Sequence, residues 1–152
     1  MRPVPDASTV RDFLAHTITV LHEATGAFAK IASSNSPPEH DAIAIAIRVH
    51  GHLSGLTWTF PVELARDVAR RMLPADIAGT PELDEALCEA AAGELANILT
   101  GRGARVLEAH GVAIEMTPPQ RVAGAGPGMI ARLQTTRGVV EVVFHRMVVE
   151  TP

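Results

Sequence analysis

The chain has 152 residues, 47% of them hydrophobic and 20% charged, with a net charge of −4 at pH 7. That length suits a single domain over 1–152 with a sizeable core, and that apolar content excludes a disordered chain. A weakly acidic balance without a basic stripe excludes the electrostatic footprint of a nucleic-acid binder.

Aromatic residues make up only 3% of the chain, so the expected core is Val, Ile, Leu, Ala and Met. Cys88 is the one cysteine. It cannot form an internal disulfide, which fits a reducing cytoplasm, and it reads as a buried structural thiol. Residues 1–6 lack the apolar segment of a secretion signal. The most apolar run, Ala42 to Ile47, is far short of the roughly 20 residues that span a bilayer. A cytoplasmic protein without membrane segments is expected.

Residues 1–5 read as a loose tail, as do 150–152. Asp6 or Ser8 can cap a first helix running to about Ala24, with Val10, Phe13, Leu14, Ile18 and Leu21 at helical spacing and Thr25-Gly26 ending it. Ala27 to Ser33 reads as a short strand, and Ser34 to Pro38 as a loop. Asp41 to His50 is the clearest strand: Ile43, Ile45, Ile47 and Val49 alternate with Ala42, Ala44, Ala46 and Arg48. Gly51 to Gly55 turns the chain, and Leu56 to Phe60 pairs back as a hairpin. Pro61 suits the first position of a helix. In that helix Leu64, Val68, Met72 and Leu73 form the apolar side, Arg66, Arg70 and Arg71 lie mostly outside it, and Pro74 ends it. A loop through Gly79-Thr80-Pro81 follows.

The longest helix is predicted from Asp84 to Ala109. Leu87, Ala91, Leu95, Ile98 and Leu99 share one face. Ala90, Glu94, Asn97 and Gly101 form a second stripe at its border. Glu94 and Asn97, three apart, place their Cβ atoms roughly 5–6 Å from each other, so the two side chains can act together. Gly101 costs a helix about 1 kcal/mol against Ala, which makes sense where another surface must approach closely.

After Gly111 the period changes to two. Val112, Ile114 and Met116 alternate with Ala113, Glu115 and Thr117, and Pro118-Pro119 ends that strand. Gln120 to Gly128 reads as a Gly- and Pro-rich connector. Met129 to Thr135 and Val139 to Val149 close the chain as strands around a turn at Thr136-Arg137-Gly138. Glu141, His145 and Arg146 suggest that part of the last strand meets water or another subunit. A hairpin cannot build a parallel sheet, so the fold class is α+β: a largely antiparallel sheet with helices packed on one face.

Other signals carry less. Seven histidines are present, but His50 and His52 flank a turn glycine and no cysteine or carboxylate cluster accompanies them, so no metal site is expected. Gly124 to Gly128 contains Pro and leads to a strand, unlike a phosphate loop that opens a helix. The Arg66, Arg70 and Arg71 cluster reads as a solvated helix face.

These elements, in this order, resemble the CheX-like branch of the CheC/CheX/FliY chemotaxis phosphatases from about Ala42 to Val149. The hairpin Ile45 to Gly55 and the short helix Ala65 to Leu73 are similar to the family's. The most specific match is Gly93-Glu94-Leu95-Ala96-Asn97-Ile98-Leu99-Thr100-Gly101, followed by a strand and Pro118-Pro119. The family pattern is an Asp or Ser, three residues, Glu, two residues, Asn, about twenty-two residues and Pro. Here Pro119 follows Asn97 after 21 intervening residues, and Ala90 stands at the Asp/Ser position.

The resemblance implies that Glu94 and Asn97 are the catalytic pair and that Ala90, Gly101 and Pro119 lie in the partner contact. It implies a phosphorylated CheY-like receiver domain as substrate and partner. This chain would bind no cofactor of its own, and Mg2+ would sit on the receiver. One copy of the pattern points to the CheX type and to a homodimer formed through sheet edges. The alternative is a non-catalytic module of the same fold that docks a response regulator or another signalling protein. A structural subunit of a flagellar switch fits less well, because no further switch domain is visible.

Overall fold

A computed structural model describes residues 5–32, 42–51, 53–72, 85–112 and 114–146. The expectations at residues 1–4, 34–38, 73–84 and 147–152 lie outside these.

Helix α1 spans Ala7–Thr25. Asp6 caps it: its Oδ1 accepts from the Thr9 backbone N–H at 2.8 Å. Gly26 ends it in the left-handed region at φ 74°, donating its N–H to the His22 carbonyl. Strand β1 is short, Ala29–Ile31. Strands β2, Ala42–Gly51, and β3, Leu53–Pro61, form the expected hairpin.

The β2–β3 pairing ends at Arg48 opposite Gly55, so the chain turns between these two residues, around the expected Gly51 to Gly55. Gly55 lies inside β3, where the pairing with the last strand shifts register between Leu53 and Gly55. Pro61 is a correction: it closes β3 opposite Ala42, and helix α2 begins one residue later, at Val62–Met72. Helix α3 is the long one, Glu85–Ala109. Then come β4, Ile114–Met116; β5, Gln120–Val122; β6, Met129–Thr135; and β7, Gly138–Arg146. The segment predicted as a connector from Gln120 thus opens with a strand that pairs antiparallel with β2.

The described strands form one antiparallel sheet in the order β1-β6-β7-β3-β2-β4, with β5 also on β2. Its pleat sorts the side chains. Ile43, Ile45, Ile47, Leu56, Trp58, Phe60, Val140, Val142 and Phe144 are buried on the face that carries the helices. The other face carries Ala44, Thr57, Thr59, Glu141 and Val143, also buried. At Glu141 the expectation that the strand meets water or another subunit is corrected: within the chain itself it is only 6% exposed, and Arg132 Nε donates to its Oε2 at 2.9 Å.

The expected core of Val, Ile, Leu, Ala and Met is corrected at its centre, where four of the five aromatics are buried together. Phe13 of α1 stacks on Trp58 at 5.9 Å and meets Phe144 edge-on at 5.2 Å, and Trp58 lies parallel to Phe60 at 6.0 Å. This cluster is the centre of the core. Helix α3 crosses it, and Gly103 makes the crossing possible: a Cβ there would stand 2.1 Å from Phe13 Cε2. Cys88 is buried on the same side of α3, as expected.

Candidate functional site

The rotation of α3 about its own axis decides which residues reach the surface. Cys88, Ala91, Ala92, Leu95, Ala96, Leu99, Thr100, Gly103 and Leu107 are buried. One directional contact fixes that rotation: the buried Trp58 Nε1–H donates to Thr100 Oγ1 at 2.9 Å. With Thr100 held inward, Ala90, Glu94 and Asn97 are exposed and Gly101 is half-buried. The predicted stripe is therefore a surface stripe, and the side chains of Glu94 and Asn97 lie within one turn of a helix anchored on its other side.

Pro119 joins them. Its Cγ lies 3.7 Å from where a Gly93 Cβ would stand, so the chain after β4 packs on the α3 backbone one residue before Glu94. Ile45, Ala86, Glu89, Ala90, Gly93, Glu94, Pro119 and Arg121 line a groove of about 480 Å³ there. Glu94, Ala90 and Pro119, predicted as one site, thus share one concavity. Gly101 lies beyond that lining: a Cβ on it would meet Met116 Sδ of β4 at 3.8 Å, an ordinary contact.

Sequence reasoning missed Glu89 and Arg121. Arg121 sits on β5 opposite Ile45, whose side chain points to the helices, so the register sends Arg121 to the same face. Its Nη1 lies 3.9 Å from Glu89 Oε2. The only available signal was an arginine shortly after Pro119; nothing local marks Gln120–Val122 as a strand.

Chemically the groove offers two carboxylates and a guanidinium; the Asn97 amide, three residues along α3 from Glu94, is exposed but lies outside that lining. Among the described residues no cluster of three His, Cys, Asp or Glu side chains could hold a metal ion. Among them, no helix is long and apolar enough to cross a membrane. A second concavity, of about 390 Å³, lies between α1, α2 and the β6–β7 turn. There Asp67 Oδ2 accepts from Arg137 Nε at 2.8 Å, and Arg70 Nη1 lies 3.6 Å from Asp67 Oδ1. Arg66 pairs with Glu63 instead, so the arginine cluster divides.

No protein-family model and no curated protein matches the sequence of the chain. Solved structures do match its fold. The chemotaxis protein CheX from Desulfovibrio desulfuricans aligns over 92% of this chain and 99% of its own, with a TM-score of 0.66 and 19% identity. CheX from Vibrio vulnificus aligns over 91% and 97%, with a TM-score of 0.64 and 23% identity. CheX in the CheX–CheY–BeF3–Mg2+ complex from Borrelia burgdorferi aligns over 91% and 98%, with a TM-score of 0.64 and 15% identity. The chain has the CheX-like fold, α+β with an antiparallel sheet, over nearly its whole length.

Proposed function

We propose that this chain hydrolyses the aspartyl phosphate of a CheY-like receiver domain, presenting the exposed face of α3 to it. The observation that carries this reading is the pair Glu94 and Asn97, exposed within one turn of a helix whose opposite side is held by Thr100 and Trp58. It is further supported by a CheX-like fold in which one relative forms a complex with CheY.

Hydrolysis needs a water in line with the scissile P–O bond and stabilisation of the charge that spreads over the phosphoryl oxygens. A receiver supplies a divalent ion and a lysine for the second need. The phosphatase has to add position. The Asn97 side-chain amide carries an acceptor and two donors, so it can hold one water and aim it. It is not a base. The water's oxygen bonds to phosphorus, the P–O bond to the aspartyl oxygen breaks, and inorganic phosphate and the carboxylate leave. The carboxylate of Glu94 pairs with the receiver lysine and sets the register of docking. No metal or covalent intermediate on this chain is involved.

A docking module without hydrolysis is the second reading, favoured by Ala90, which has no polar group at the position where the family pattern has Asp or Ser. Decay of phosphorylated receiver separates the two. The expected result is faster decay with wild-type protein and loss of the acceleration in Asn97→Ala with receiver binding retained. Glu94→Ala is expected to weaken the complex instead. Acceleration by Asn97→Ala equal to wild type removes the water-positioning role, and binding without acceleration by wild type selects the docking module. A homodimer through the sheet edges is part of the proposal. Phe28 and Ile31, 71% and 48% exposed, lie at the edge strand β1, and the mass in solution tests it.

A further inference from the structure

The groove beside Glu94 carries a charge arrangement that docking to a receiver has to satisfy. A phosphorylated receiver site presents a phosphoryl group and the carboxylates that hold its divalent ion, a largely anionic face. Of the two carboxylates on the α3 side of the groove, Glu94 has the receiver lysine as its partner, while Glu89 has no such partner on the receiver, and like charges brought together across an interface oppose binding. Among the described residues lining the groove, Arg121 is the one cation.

Three observations single it out. Its place is set by backbone pairing: Arg121 is opposite Ile45, which sends its side chain to the helix side of the sheet, where Pro119 packs on Gly93. Its internal partner holds it loosely, with 3.9 Å between Arg121 Nη1 and Glu89 Oε2 and side chains 33% and 43% exposed. An exposed pair of that geometry contributes little to stability. And the groove positions between Glu89 and Glu94 on the helix are Ala90 and Gly93, which leave no polar side chain there to do the same work.

We propose that Arg121 is a docking residue that meets the anionic face of the receiver, with Glu89 as the internal counter-ion that competes for it. This inference rests on the function proposed above. It predicts opposite signs for the two halves of one ion pair. Removing the guanidinium weakens receiver binding. Removing the Glu89 charge frees the guanidinium, lowers the repulsion and tightens binding. An ion pair that serves only the fold predicts no effect on binding from either change.

The experiment measures the Kd of each single-domain receiver of the source genome, loaded with Mg2+ and beryllofluoride, for the full-length protein across a salt series. The variants are Arg121→Ala, Glu89→Gln and, as a control of equal charge change on the β6–β7 turn, Arg137→Ala. The expected result is binding roughly fivefold weaker for Arg121→Ala, the upper end of what one exposed charge pair supplies, with a shallower salt dependence. Glu89→Gln binds more tightly than wild type, and Arg137→Ala stays within about twofold of it. If wild type binds and Arg121→Ala matches it in Kd and salt dependence, this inference is overturned and the proposed function stands. If wild type binds no receiver, the proposed function falls and takes this inference with it.

Discussion

Gly103→Ala is a substitution for which general helix propensity and this structure predict opposite signs. Gly103 is inside α3, where alanine is favoured over glycine by about 1 kcal/mol. Its missing Cβ, however, would lie 2.1 Å from Phe13 Cε2 and 2.8 Å from both Cδ2 and Cζ. Phe13 is fully buried and held between Trp58 and Phe144, so its ring cannot swing aside without displacing the centre of the core. Overpacking a filled core costs about 1–3 kcal/mol, and a contact this short belongs at the upper end. The expected net loss is about 2 kcal/mol, which for a domain of this size lowers Tm by about 4–8 °C. Gly101→Ala is the internal control. A Cβ there meets only the flexible Met116 side chain at 3.8 Å, so the propensity gain survives and Tm rises by about 2–4 °C. Thermal unfolding followed by circular dichroism, at one protein concentration for all variants, measures both. A Gly103→Ala variant as stable as wild type would refute the seating of Phe13 on the α3 backbone.

Thr100→Val keeps the size of the side chain but leaves the buried Trp58 Nε1–H without its acceptor; urea unfolding is expected to register a loss of about 1–3 kcal/mol. Arg132→Ala strands the carboxylate of Glu141 on the far face of the sheet and is expected to cost about 3 kcal/mol, most of it recovered when Glu141 is changed to Gln as well; a double-mutant cycle measures the coupling. Gly101→Ala, though more stable than wild type, is expected to bind a receiver more weakly if the partner packs against that turn of α3, and equal Kd values would confine the contact to the groove nearer Glu94.

Much of the fold follows from local rules. Asp6 and Gly26 bound α1 because a capping carboxylate and a left-handed glycine act within four residues of themselves. The Ile/Ala alternation of β2 and the 3.6-residue spacing in α3 fix which side chains share a face, because that follows from backbone geometry alone. The stripe Ala90, Glu94, Asn97 was legible for the same reason, and Glu94 and Ala90 do border one groove with Pro119.

What escaped depended on a partner distant in sequence. Gln120–Val122 is a strand only because β2 offers it an unpaired edge, and Arg121 takes its position from that register. Pro61 extends β3 because Ala42 stands opposite it. Glu141 is buried because Arg132 on the neighbouring strand neutralises it. Gly103 is required by the Phe13 ring of another helix.

Residue periodicity thus determined the elements and their faces before any packing. Tertiary structure decided the rest: how far α3 is turned, through the hydrogen bond from Trp58 to Thr100, and which charges stand around Glu94. Backbone geometry repeats along the chain and is written in every few residues, whereas a contact between segments exists only once both have been folded against each other.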